Sequence, residues 1–134
     1  MPCRAIGSFE VTSWDQSTYD TPEDAPPLAR ATVRKVFRGE VEGASTAELL
    51  MCRPDDSSGG YIASERIVGR VGERSGSFVV QHGATQEGDT FDVYGRVLPG
   101  SGTGELTGIR GLCTFRHGQN GAVFTLDYEL PEVG

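Results

Sequence analysis

Three side chains able to carry charge or move a proton fall on strand faces that are otherwise apolar: Lys35, Glu65 and His82. Glu65 shares a period-two face with Tyr61, Ala63, Ile67 and Gly69, while Ser64, Arg66 and Arg70 alternate to the other side with Ile62 and Val68. Lys35 alternates in the same way with Ala29, Ala31, Val33 and Phe37, and His82 follows Phe78 and Val80 with Val79 and Gln81 opposite. A carboxylate or ammonium directed into an apolar interior loses its hydration, so each requires a partner of opposite sign. Glu65 and Lys35 therefore read in one of two ways, unless one or both are exposed at a barrel rim. They are a buried ion pair that fixes strand register, or an acid/base pair facing a ligand cavity. The placement expected here is the open end of the fold, with the pair only partly formed. His82, at the end of its strand, reads as a hydrogen-bonded core or rim residue, or as a general acid/base at the mouth. Glu65, His82 and Lys35 are the candidate catalytic set.

Trp14, Tyr19, Tyr61, Phe78, Tyr94 and Tyr128 are available to line an aromatic pocket, although core packing accounts for most of them without a ligand. With Gln81 beside His82 and Phe124 on an apolar face, the ligand-binding candidates are Trp14, Tyr61, Phe78, Gln81, Tyr94, Phe124 and Tyr128.

Other chemistries lack their residues. Two histidines and three scattered cysteines, with no C-x-x-C pair, do not compose a metal site. No G-x-S-x-G or other nucleophile constellation occurs, and Cys113 reads as a small buried hydrophobe. The glycine-rich run 99–104 lacks the GKS/GKT ending and the following helix of a phosphate-binding loop, so it reads as a corner pinned by Leu106 and Ile109. No cofactor is expected. A net charge of −7 and a pI near 4.7 disfavour nucleic acid or an anionic membrane as partner. Cys3, Cys52 and Cys113 are an odd set that suits reduced thiols, and neither a signal peptide nor a membrane-length apolar run is visible, so the expected location is cytoplasmic. A homo-oligomer is compatible with all of this.

The elements that must position these groups are strands. Alternation and turn chemistry predict them at 5–15, 28–38, 44–52, 61–70, 78–82, 90–98, 112–116 and 122–130. His117 falls in the turn after the seventh and reads as a surface residue. The segment 16–27, with Pro22, Pro26 and Pro27, reads as a loop over one end of the fold. In the first strand Phe9 and Trp14 have opposite parity, and a β-bulge between them would turn both inward. About eight strands with no credible helix, in a 134-residue chain forming a single domain over 1–134, predict an all-β, eight-stranded antiparallel closed barrel, since closure removes exposed edges.

The runs GSFEVTSWD (7–15), LARATVRKVFRGEVEGASTAE (28–48), SERIVGRVGERSGSFVVQHG (64–83), PGSGTGELTGIRG (99–111) and TLDYEL (125–130) together resemble a bacterial domain-of-unknown-function family, number 3224, similar in fold to allene oxide cyclase. The resemblance implies an allene-oxide-cyclase-like, calycin-like barrel and assigns no catalytic residue. By analogy of fold it suggests a cofactor-free cyclase or isomerase acting on an apolar, polyketide-like or unsaturated small metabolite inside the barrel, in secondary metabolism. The alternatives are a non-catalytic carrier or sensor of a small hydrophobic metabolite, and a solid, ligand-free barrel acting only as a protein-binding module.

Overall fold

Alternating patterns rich in valine, threonine and aromatic residues extend the chain into nine strands in a computed structural model that describes residues 2–119 and 121–131. They are β1 (Cys3–Asp20), β2 (Leu28–Gly39), β3 (Val41–Asp55), β4 (Ser58–Val71), β5 (Arg74–Glu87), β6 (Thr90–Val97), β7 (Thr103–Gly104), β8 (Arg110–Gly118) and β9 (Gly121–Glu129). No helix occurs among the described residues, so none is long and apolar enough to cross a membrane.

All pairings are antiparallel. β1 to β6 pair in sequence order, β6 pairs β8, β8 pairs β9, and β9 returns to β1. The hydrogen-bonded order is thus a ring of eight strands, with the two-residue β7 attached to β5. The ring has one thin seam: β6 and β8 share a single residue pair, Arg96 with Leu112. There the backbones approach so closely that a Cβ on Gly95 would stand 2.3 Å from the Cys113 carbonyl oxygen, so only glycine fits.

The interior is divided along the strand axes. At one end Phe37, Ile67, Phe78, Phe124 and Leu126 form a solid core with Val41, Val71 and Val80. Leu106 and Ile109, both fully buried, plug that end as expected of the glycine-rich corner. Toward the other end the inner faces shrink to Ala31, Val33, Ala47, Leu49 and Ala63, joined by Met51 and Tyr61. Small side chains there cannot fill the ring, which leaves a cavity of about 780 Å³.

Several strands run further than their apolar patterns. β1 continues through Asp20, with Ser17 and Thr18 opposite Arg30 and Ala29, so the expected loop 16–27 shortens to 21–27. The expected turn at 39–43 narrows to Glu40, and Gly59, Gly60 and Gly83 lie within strands. At Gly83, which is buried, a Cβ would stand 2.7 Å from the Tyr61 carbonyl oxygen, so close packing of strands and not a turn selects glycine there. The anticipated bulge in β1 is present at Thr12, between the pairs Val11–Lys35 and Ser13–Arg34. It places Trp14 opposite Val33, on the same inward face as Phe9 opposite Phe37.

Candidate functional site

Where the solid core meets the cavity, β2 to β5 deliver four polar side chains to one patch. Lys35 pairs directly with Ser45 across β2–β3, while Glu65 pairs with Ala47 on one side and Val80 on the other. Ser45 and His82 are therefore the diagonal neighbours of Glu65, within reach of its carboxylate. Lys35 Nζ donates to Glu65 Oε1 at 2.9 Å, and Ser45 Oγ donates to Oε2 at 2.6 Å. His82 Nε2 stands 2.9 Å from Oε1, and the Tyr61 hydroxyl stands 2.9 Å from His82 Nδ1. Among the described residues no buried side-chain nitrogen or oxygen lacks a partner.

Glu65 is 0 % exposed, His82 4 % and Lys35 8 %. Burial pushes the Glu65 carboxyl up, but the hydrogen bond from His82, the charge of Lys35 and the bonds from Ser45 and Lys35 outweigh it and hold the group below its ordinary range. An ionised Glu65 only accepts, so His82 carries a proton on Nε2. With neutral His82, Nδ1 accepts and the Tyr61 phenol donates to it. That phenol is pushed up to about 12 by burial and by the charge of Glu65, so it keeps its proton. The result is a directed chain from Tyr61 through His82 to Glu65. Phe115 forms its apolar wall: the His82 ring centroid lies 4.4 Å from that of Phe115, and Lys35 Nζ lies 4.1 Å from the same ring.

Tyr61, His82 and Lys35 line the cavity; Glu65 and Ser45 lie behind them. The expectation that Glu65 faces the open end with partial pairing is thereby corrected. Its position between Ala47 and Val80 puts it one layer below the cavity floor, where three donors satisfy it.

The other candidates separate by face. Trp14 and Tyr94 line the cavity with Tyr61. Phe78 and Phe124 belong to the solid core, because their rows lie below Glu65 toward the plugged end. Tyr128 packs against that core. Gln81 faces outward, where its amide donates to Ser64 Oγ at 3.1 Å and borders a groove of about 370 Å³. His117 is exposed but lies near the end of β8 on the inner face, its ring 5.4 Å from that of Phe9. Ser45, Phe115, Val11, Met51, Phe91 and Val93 also shape the site. Ser45 was readable from its alternation with Ala47 and Leu49. Phe115 was not, since a five-residue strand pattern does not fix a face. Among the described residues no group of three or more His, Cys, Asp or Glu side chains is placed to hold a metal ion.

Fold and site together define an antiparallel β-ring with an ionic cluster set between a plugged apolar core and an open cavity. The chain belongs to the family described as "Protein of unknown function (DUF3224)", whose model matches residues 5–130. It is similar to the crystal structure of a protein with unknown function from that family in Shewanella oneidensis MR-1. The identity is 29 %, the match covers 99 % of this chain and 100 % of that one, and the TM-score is 0.90. No curated protein matches this chain significantly.

Proposed function

We propose that the ring is a closed, allene-oxide-cyclase-like barrel that encloses a small ligand with an apolar body, and that it acts on this ligand as a cofactor-free cyclase or isomerase. The observation that carries the reading is the cavity of about 780 Å³ with Tyr61, His82 and Lys35 on its floor. Its volume falls within the range of small-molecule sites. Its walls are mainly apolar and aromatic, which suits a substrate folded by shape. An intramolecular ring closure or isomerisation moves no net electrons, so it asks only for enforced conformation and for charge placed where charge develops. The Lys35 ammonium, and the Tyr61 hydroxyl once its one proton turns from His82 Nδ1 toward the ligand, are the groups presented for that purpose, and they would stabilise a developing negative oxygen. Glu65 and Ser45 are positioning residues, which hold Lys35 and His82 in place from beneath.

A second reading, a non-catalytic carrier, is favoured by one observation. Every buried polar atom of the cluster already has a protein partner, so the site is stable without a reacting group. Purification of the protein from its native host followed by mass spectrometry of bound small molecules tests both. A co-purified ligand turned over by wild type, and bound but unchanged by Tyr61→Phe, supports the enzyme. A ligand bound and released unchanged by wild type supports the carrier. A cavity that retains no small molecule and accepts none argues against both.

A further inference from the structure

The charged groups that line the cavity are all basic. Lys35, Arg53 and Arg116 border it, joined by His82 and His117, whereas no described Asp or Glu does, in a chain with 19 acidic residues against 12 basic ones. Lys35 is compensated from below by Glu65 at 2.9 Å. The two arginines are not. Arg53 donates to the carbonyl oxygen of Asp56 at 3.2 Å, a neutral acceptor, and Arg116 has no ion-pair or hydrogen-bond partner among the described residues. The seam explains how Arg116 reaches the cavity. It pairs with Val123 on the outward parity of β8, yet Cys113 through His117 all border the cavity in succession. A strand paired on both sides shows only alternate residues to one face, whereas one beside an opening shows both. β8 is such a strand, since its pairing with β6 stops at Leu112. Across the gap stand Phe91, 62 % exposed, and Val93, 64 % exposed, with Trp14 at 52 % on β1.

We infer that the ligand is an amphipathic anion, its carboxylate-like group held by Arg116 at the seam between β6 and β8 and its apolar body laid along Trp14, Phe91 and Val93 toward Tyr61. The inference rests on the cavity reading above and narrows it. An uncompensated guanidinium beside an apolar wall is a fork for a planar or sulfonate-type anion and offers nothing to a neutral hydrocarbon.

The test uses two fluorescent probes that differ by one anionic group: 1-anilinonaphthalene-8-sulfonate and the neutral N-phenyl-1-naphthylamine, each titrated into folded wild type, Arg116→Gln and Arg53→Gln. Wild type is expected to bind the sulfonate about tenfold more tightly than the neutral probe. Arg116→Gln is expected to remove that preference and leave binding of the neutral probe unchanged. Arg116 is exposed and makes no ion pair or hydrogen bond among the described residues, so the variant is expected to fold. Equal affinities for both probes, insensitive to Arg116→Gln, overturn the anionic class and leave the cavity reading standing. A loss confined to Arg53→Gln overturns the assignment to Arg116. Failure of both probes to bind wild type overturns the cavity reading and this inference with it.

Discussion

The Tyr61 hydroxyl stands 2.9 Å from Nδ1 of His82 and, with the imidazole neutral, is the donor in that bond, because the one ring proton is committed through Nε2 to an ionised Glu65. The relationship fixes the imidazole tautomer from both sides. It also puts Tyr61 at the cavity end of the hydrogen-bonded series from Tyr61 through His82 to Glu65. A ligand oxygen arriving there competes with His82 Nδ1 for the single phenol proton.

Tyr61→Phe removes the donor and leaves Nδ1 without a protein partner. Because the site opens to a cavity, water can take its place, so the stability cost is expected to be only about 1 kcal/mol, the low end for an unpaired acceptor. Denaturant unfolding measures it. Nitrogen-15 spectra of neutral His82 in wild type should show the proton on Nε2. A proton on Nδ1 would reverse the chain and withdraw Tyr61 as donor.

The pair of Lys35 and Glu65 lends itself to a double-mutant cycle. Glu65→Leu strands an ammonium among Phe9, Phe115 and the cavity floor, and Lys35→Met leaves a carboxylate 0 % exposed with only His82 and Ser45 to hold it. Each is expected to cost about 3 kcal/mol, near the lower bound for breaking a buried pair, since Lys35 borders the cavity and can reach water. The double variant is expected to recover most of the loss. Additive losses would mean that the two charges do not depend on one another.

Much of this arrangement was legible in the residues. Period-two alternation put Lys35, Glu65 and His82 on inner faces, and the parity conflict between Phe9 and Trp14 called for the bulge found at Thr12. What alternation lacks is depth along the strand axis. Phe78 and His82 share a face two pairs apart, yet one lies in the solid core and the other at the cavity floor. That difference is set by register between strands distant in sequence and by the plug of Leu106 and Ile109. Tyr94 shows the other gap. Its outward parity is plain, but its contact with the cavity comes from the thin seam beside β6, which no local pattern encodes.

The pH dependence of stability should carry the signature of Glu65. Its carboxyl is held below the ordinary value of 4.5 in the folded protein, so the unfolded chain binds its proton more readily. The stabilisation is therefore complete above that ordinary value and is lost as pH falls through it toward the lower folded value. Exposed Asp55 and Asp127 are lowered as well and add to the acid slope. The difference between wild type and Glu65→Gln removes their share. Wild type should lose its stability advantage over the variant on acidification below about pH 4.5. An advantage unchanged down to unfolding would show that Glu65 is not ionised in the folded protein.

Cysteine reactivity offers a footprint of the cavity that needs no ligand assignment. Cys52 and Cys113 both border it, but Cys113 is buried, and burial together with the charge of Glu65 pushes its thiol up to about 12. At about pH 8 only about one part in 10⁴ of Cys113 is then thiolate, the form that reacts. Iodoacetamide should therefore modify half-buried Cys52 and exposed Cys3 in the folded protein, while Cys113 reacts only on unfolding. Saturating anilinonaphthalene sulfonate should slow Cys52 and leave Cys3 untouched, because Cys52 borders the cavity and Cys3 does not. Peptide mapping after timed quenching reads all three sites at once. Rapid labelling of Cys113 in native protein would mean that the floor beside Phe115 is open to solvent, and the buried setting assigned to Glu65 would fall with it.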